Sequence, residues 1–312
     1  MVRDQMTSVR GGDHVAAPNR GRRRRRGTAL AALAFLAPAL AALILLRLLP
    51  AGLAVRESFF ARSFFGGGEI FVGFERYAEL FTSPDFLNSL QVTLVFAIII
   101  NPLQVGAAFL LAYLYTRRAA GSRIWRSFVI LPIAAPAAVA AVVWSVIYRP
   151  DGLANALLAV FGIPAQPFLN SPDQSLAAII VLLSWTAVGY YMLFLIAGIN
   201  DIPAELYEAA SIDGASAWHK LWHITLPMCR RPLAFVLVAD TVHNFLVFAP
   251  VQILTQGGPQ GSTDLLMYDI YERAYTLGDT NAANAEVVVL VVITLLVVLA
   301  QFRLLGGEKE RA

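Results

Sequence analysis

Residues 201–227, DIPAELYEAASIDGASAWHKLWHITLP, are the stretch on which the fold turns. Pro203 suits a first helical turn, where its missing N–H costs nothing, and the Ala and Glu residues that follow are good helix formers. That helix should stop at Gly214, because glycine enters the left-handed region without steric penalty. Ser216 is a candidate N-cap for a second helix. Trp218, Leu221 and Trp222 share one face of it by i, i+3, i+4 spacing, and Pro227 is expected to end it. Two short helices joined by a glycine turn are more order than a connector needs, and such a hairpin is a docking device by default.

The hairpin sits between two apolar runs, and working outward from them finds six. They are Thr28–Leu49, Leu90–Tyr115, Ile124–Tyr148, Leu176–Ile199, Leu233–Leu254 and Ala285–Leu305. Each is long enough to cross a hydrocarbon core of about 30 Å as a helix. The expected fold class is therefore an all-α membrane protein with six transmembrane helices. Residues 1–27 read as a disordered basic tail, 28–305 as the six-span domain with its long loop at about 200–232, and 306–312 as a second short tail. The composition agrees: 58% hydrophobic, 14% charged, mean hydropathy +0.63. That balance excludes an ordinary soluble globule, a disordered chain and a nucleic-acid-binding module. The single cysteine, Cys229, excludes an intrachain disulfide framework.

Basic residues set the orientation. With the N-terminus inside and the spans alternating, 18 Lys and Arg fall on the inner side, including Arg117, Arg118, Arg123, Arg126, Lys220, Arg230, Arg231 and Arg303. Five fall outside: Arg56, Arg62, Arg76, Arg149 and Arg273, while Arg47 lies near the end of the first span. The asymmetry places both termini in the cytoplasm. Arg20 and Arg22–Arg26 abut the first span. Nucleic-acid binding and a cleaved signal fit them less well than a topology anchor that also attracts anionic lipid heads. The first outer loop, Pro50–Asn88, is rich in aromatics, and Ser83-Pro84 reads as a helix start. The outer loop from Arg149 to Ser175 reads as ordered turns with a short helix at Ala154–Phe161.

Polar residues inside spans are costly and mark candidate sites. The fifth span holds most: Asp240, Thr241, His243, Asn244 and Gln252. Asp240, Asn244 and Val247 fall on one face by i, i+4, i+7 spacing, with His243 beside it. One reading makes this face the wall of a solute path; the other has its polar groups bonding to neighbouring helices. Trp185, Tyr190 and Tyr191 of the fourth span can present aromatic faces to a solute or simply pack. Asn101-Pro102 with Gln104, and Pro132 with Pro136, are expected to break the second and third spans. His219 and His223 have a zinc-compatible spacing but no third ligand, so the plainer reading is an exposed pair. No metal site or catalytic constellation is argued, and no Gly-Lys of a phosphate-binding loop is present.

Glu208-Ala209-Ala210, Asp213-Gly214-Ala215 and Ile224-x-Leu226-Pro227 together resemble the EAA loop of bacterial ABC importer permeases. The segments FVGFERY at 71–77 and LTQGGP at 254–259 resemble carbohydrate-uptake permeases of the maltose type. Residues 265–302 are most similar to the first permease of glycerol-3-phosphate and glycerophosphodiester importers. The resemblance implies a multi-pass subunit of the bacterial plasma membrane that is not itself an enzyme. Its implied partners are a second homologous permease, an ATPase homodimer that binds ATP and Mg, an external solute-binding lipoprotein and membrane lipid, with no nucleic acid. It also implies that Glu208 and Gly214, with Trp218, Leu226 and Pro227 nearby, form a coupling helix seated in the ATPase. On this likeness the solute is a glycerophospho-compound. The residues alone leave a disaccharide open, because Asp240 repels phosphate and only Arg47 lies within a span. A secondary transporter needs no coupling loop, and an intramembrane enzyme needs a convergent polar set on several spans.

Overall fold

A computed structural model describes residues 34–62, 68–117 and 122–305. The basic tail 1–27, the first residues of the first expected span and the tail 306–312 lie outside the described residues. The chain divides into two compact units at Leu53/Ala54. The described part of the first is a stretch of the apolar helix α1, Ala34–Glu57.

The second unit begins with the end of α1 and a small antiparallel hairpin, β1 (Phe60–Arg62) and β2 (Glu69–Phe71), with Phe60 opposite Phe71. Helix α2 (Glu75–Thr82) leads into the long helix α3 (Pro84–Thr116), which starts at Ser83-Pro84 as expected. Then come α4 (Ser122–Ile130) with a 3-10 turn at Leu131–Ala134, α5 (Ala137–Ile147) and the short α6 (Leu153–Val160), where a short helix was expected. Helix α7 (Pro172–Asn200) is followed by α8 (Ala204–Ile212) and α9 (Ala217–Lys220), and α9 runs on through a π-turn, Leu221–Thr225, and a further turn, Leu226–Met228. The last helices are α10 (Arg230–Phe245), α11 (Ala249–Leu254), α12 (Leu266–Tyr271) and α13 (Thr280–Leu305).

Four of the described helices are long and apolar enough to cross a membrane: α1, α3, α7 and α13. The expected third and fifth spans are not continuous helices. In the third, the 127–134 segment and α5 meet at 114°. Pro132 and Pro136 explain this, since each lacks the N–H a continuing helix needs. In the fifth, α10 stops at Phe245 and the chain re-enters helix only at Ala249. Pro250 cannot donate to the Leu246 carbonyl four residues back, so the ladder fails there.

Two prolines, Pro102 and Pro227, do not break helices as the sequence suggested, and Pro50 lies within a helix rather than in the outer loop. Pro102 lies inside α3, which stays helical for 33 residues. Pro50 and Pro227 each follow a π-turn, at Ile44–Leu48 and Leu221–Thr225. The wider turn shifts the backbone to i→i−5 pairing: the Leu49 N–H donates to the Ile44 carbonyl, and the Leu226 N–H to the Leu221 carbonyl. A proline ring then fits without meeting the usual carbonyl. Hence α1 passes Leu49 and ends at Glu57, and α9 continues past Pro227.

Helix α3 is common to all three apolar clusters of the second unit. Phe96 and Ile100 pack with Ile179 and Leu182 of α7 and Val251 of α11. Ala108 and Ala112 pack with Met192, Leu195 and Val236. Phe86 and Ala97 pack with Phe245, Leu266 and Leu290. Small residues on α7 allow close crossings. A Cβ on Gly189 would lie 2.1 Å from the Val129 carbonyl oxygen of α4, and one on Gly198 would lie 2.5 Å from the ring of Pro232 on α10. Close backbone approach of this kind is how membrane helices gain packing contacts.

The loop between α11 and α12 is strapped to two helices. Asn88 donates to the Gly261 carbonyl at 3.0 Å, Ser175 and Ser262 share a hydrogen bond of 2.8 Å, and the Thr93 hydroxyl accepts from the Leu266 N–H at 2.8 Å. Asp264 in this loop accepts from the Ser89 hydroxyl at 2.6 Å. Its burial pushes its pKa from 3.8 up to about 7, against the opposing pull of that hydrogen bond.

Two outcomes are expected from this packing. Gly189→Ala should lower the stability of the purified protein by roughly 1–3 kcal/mol, because the obstructing atom is backbone and cannot rotate away; thermal unfolding in detergent measures it. Asp264 binds its proton more tightly folded than unfolded, so its contribution to stability is largest below pH 4 and is lost as pH rises towards 7. Asp264→Asn removes that slope, so its unfolding temperature relative to wild type should rise between pH 5 and pH 8.

Candidate functional site

The polar residues of α10 turn inward onto α3. The Asn244 carboxamide nitrogen lies 2.7 Å from Asn101 Oδ1, 3.1 Å from Gln104 Oε1 and 3.1 Å from Asp240 Oδ1. Asn101 donates to the Thr241 hydroxyl at 3.1 Å, and Gln301 of α13 donates to the same oxygen at 2.7 Å. Asp240, Thr241 and Gln104 are fully buried. One NH₂ group carries two hydrogens, so Asn244 faces three acceptors with two donors. Asp240 Oδ2 and Asn244 Oδ1 are buried with no hydrogen-bond partner among the described residues. The cluster is therefore rich in acceptors and short of donors, a state that buried polar groups usually avoid.

A cleft of about 390 Å³ lies beside this network, with Pro132, Leu183, Thr186, Tyr190, Tyr191 and His243 on its walls. The break at Pro132 and Pro136 supplies part of its wall, through Pro132, Ile133, Ala135 and Ala137. Tyr191 belongs to both features: it lines the cleft and neighbours Asp240. Tyr190 stacks edge-on against Tyr191 at 5.5 Å and Phe194 at 5.0 Å. The structure thus brings Tyr190, Tyr191 and His243 together in one cleft and sets Asp240 and Asn244 behind them. Val247 is buried in the apolar core, and Trp185 packs on Trp144 at 5.7 Å.

The 204–228 hairpin forms the second feature. Its corner is a Schellman turn: the Ala215 N–H donates to the Ala210 carbonyl at 2.8 Å, and the Gly214 N–H to the Ser211 carbonyl at 3.1 Å. Gly214 has φ +75°, and a Cβ there would touch nothing within 4 Å, so conformation alone selects glycine. Ser216 caps α9 by accepting from the His219 N–H at 3.2 Å, as its position implied. Tyr113 of α3 donates to the Ala217 carbonyl at 3.0 Å, and Tyr207 and Thr225 share a hydrogen bond of 2.9 Å, so the hairpin is fixed to the helix ends.

Glu208, Ala209, Asp213 and Pro227 are exposed, while Ala210, Ala215 and Leu226 are half-buried. Ile212 is 87% exposed and Trp218 67%, a large apolar surface for a polar loop. The expected face of Trp218, Leu221 and Trp222 is split: Leu221 joins the core, while Trp218 and Trp222 pack edge-on at 5.6 Å in the open. Leu221 and Trp222 are adjacent and so point about 100° apart, which lets one turn in while the other stays out beside Trp218. His219 and His223 stack on each other at 3.9 Å. Cys229 is buried between hairpin and α10, and burial pushes its thiol up to about 11, away from the reactive thiolate.

Sequence reading missed four members of the network or its surroundings: Thr241 as an acceptor shared between helices, Gln301, and Asn101 with Gln104 as partners of Asn244. The signal for the last two was present, as polar residues in an apolar run, but Pro102 drew attention to backbone instead.

Comparison with known proteins gives a consistent result. The family model described as binding-protein-dependent transport system inner membrane component matches residues 104–306. The sn-glycerol-3-phosphate transport system permease protein UgpA of Brucella abortus is 33% identical over 86% of this chain and 92% of its own length. The probable ABC transporter permease protein YesP of Bacillus subtilis is 32% identical over 88% of this chain and 90% of its own. Among solved structures, a bacterial ABC transporter involved in the import of the acidic polysaccharide alginate matches with a TM-score of 0.80 at 22% identity, over 93% of this chain and 99% of that one. At that identity the likeness concerns the fold. A second structure holds the alginate transporter in complex with a pentasaccharide-bound periplasmic protein, at a TM-score of 0.77, 22% identity and coverage of 90% of this chain and 94% of that one.

Asn244→Ala should cost about 1–3 kcal/mol of stability, because it removes the two donor hydrogens that three buried acceptors share. Tyr190→Leu, on the half-open cleft wall, should stay within about 1 kcal/mol. Thermal unfolding of the two variants side by side separates the structural network from the cleft.

Proposed function

The chain belongs to the family of binding-protein-dependent transport system inner membrane components, and from that premise we propose how it works. It is a permease subunit of an ABC importer in the bacterial inner membrane. Our reading is that it imports glycerol 3-phosphate or a glycerophosphodiester such as glycerophosphocholine. The observation that carries the solute class is the set of relatives named as glycerol-3-phosphate permeases, matched over nearly their whole length.

In this reading six membrane passes, two of them broken at proline, place both termini in the cytoplasm. A second homologous permease completes the path. An external binding lipoprotein delivers solute, and an ATPase homodimer binds and hydrolyses ATP with Mg. The hairpin seats in the ATPase, with Glu208 meeting polar or basic groups, Gly214 making the corner, and Trp218 and Ile212 supplying apolar contact. The exposure of these side chains supports the assignment. ATPase closure moves the hairpin and shifts the balance between two arrangements of the helices.

The cleft at Tyr190, Tyr191 and His243 is the part of the solute path that this subunit supplies. Asp240 and Asn244 act behind it through Tyr191 as positioning residues. Because the network has more acceptors than donors, small helix shifts re-pair it among near-equivalent bonds of about 0.6 kcal/mol each in membranes. A second reading is a di- or oligosaccharide importer. It is favoured by one observation: none of the described residues lining the cleft is Arg or Lys. A neutral sugar needs only hydrogen bonds and aromatic faces there, whereas a phosphate calls for a cation from the second permease.

Reconstitution of the complete transporter in vesicles with internal ATP tests both levels. Wild type should take up labelled glycerol 3-phosphate or glycerophosphocholine. Glu208→Lys and Gly214→Val should reduce uptake by about tenfold or more, equivalent to about 1.4 kcal/mol of coupling. Uptake of trehalose or maltose alone overturns the solute class, and undiminished uptake by both hairpin variants overturns the coupling role. Normal uptake by Asp240→Asn and Asn244→Ala removes those two from the path.

A further inference from the structure

A second cavity, of about 470 Å³, opens where the hairpin meets the ends of α3 and α7. Tyr113 and Arg117 of α3, Asn200 and Ile202 at the end of α7, Tyr207 of α8 and Lys220 of α9 stand on its walls. Its electrostatics are one-sided. The Arg117 guanidinium lies 4.4 Å above the Tyr113 ring, and Lys220 Nζ donates to the Ser211 hydroxyl at 2.5 Å. Neither cation is paired with a carboxylate among the described residues, and no Asp or Glu is among the residues lining the cavity. Elsewhere in the second unit, Arg56, Arg76, Arg149 and Arg273 hold carboxylates, while Arg231 and Arg303 have no carboxylate partner among the described residues and line neither cavity. Both cations therefore line one half-open, partly apolar space.

We propose that this cavity is a binding site for a phosphate ester, its phosphoryl oxygens held between Arg117 and Lys220 and its organic part against Ile202 and the two tyrosines. An arginine and a lysine without competing anions are a standard means of holding phosphate, and charge-assisted hydrogen bonds to it are the strong ones. The phosphoryl group can come from a soluble metabolite or from an anionic phospholipid head at the membrane surface. The site joins two parts of the machine: Arg117 and Tyr113 belong to α3, Tyr207 and Lys220 to the hairpin. A ligand bridging them ties the hairpin to the helix ends and so restrains the corner at Gly214. The site is defined by its own residues, so it holds or fails independently of the solute that crosses the membrane.

The chain has only two lysines, Lys220 and Lys309, which permits a site-resolved test. In the purified complete transporter, acetylation of each lysine is followed by peptide mass spectrometry with and without inorganic phosphate in detergent, and in nanodiscs with and without phosphatidylglycerol. The expected result is that Lys220 acetylation slows severalfold relative to Lys309, and that the ligand concentration needed rises about tenfold in Arg117→Gln but not in Arg117→Lys. Protection by phosphate in detergent identifies a soluble ligand; protection only by phosphatidylglycerol identifies a lipid head. As a second readout, the protecting ligand raises the unfolding temperature of wild type more than that of Arg117→Gln. The proposal is overturned where neither readout distinguishes wild type from Arg117→Gln, or where Lys220 and Lys309 are slowed equally.

Discussion

The Asn244 carboxamide, with the Asn101–Thr241 bond beside it, ties together α3 and α10, two helices on which the second unit is built. In an apolar medium a polar side chain has few partners, so the bond from α10 to Asn101 and Gln104 fixes how α10 lies on α3. Helix α3 in turn supplies a wall to each of the three apolar clusters, and the loop before α12 is anchored to it by Asn88, Ser89 and Thr93. Packing contacts are small and numerous, and many rotations of a smooth helix satisfy them nearly equally. The directional bond selects one.

The apolar runs were legible because length and hydropathy are decided by the bilayer, whose thickness is fixed. Four of the six appear as long apolar helices. The third is broken at Pro132 and Pro136 as its prolines implied, whereas the break in the fifth and the continuation past Pro50 and Pro227 were not foreseen. The effect of a proline depends on the carbonyl four residues before it. Where a π-turn moves that carbonyl aside, as before Pro50 and Pro227, the helix continues. At Pro250 no such turn precedes and the helix stops, yet at Pro102, also without one, α3 runs on, so the surrounding packing decides as well. Nothing in the local composition announces a π-turn, so the outcome cannot be read from the proline alone.

The hairpin was more legible than the cleft. Gly214, Ser216 and the helix formers around them act within one turn of the chain, and local chemistry of that kind is written in order along the sequence. The cleft at Tyr190, Tyr191 and His243 exists because α7, α10 and the broken third span meet in space. Spacing on α10 identified Asp240 and Asn244 as special, yet their inward direction depends on Asn101 and Gln104, more than 130 residues away. Periodicity gives a face; only packing gives its bearing.

The ladder between hairpin and α10 is nearly unbroken: the Cys229 N–H donates to Thr225 at 2.9 Å and the Leu233 N–H to Cys229 at 2.9 Å. From Ala217 to Asn244 the chain is thus close to one rod, roughly 40 Å long at 1.5 Å per residue. A rod of that kind transmits torque, whereas a floppy joint would dissipate it. Under the proposed coupling, tilting its end at the glycine corner would turn its buried end as well, so lever and fulcrum would be parts of one nearly continuous helical run.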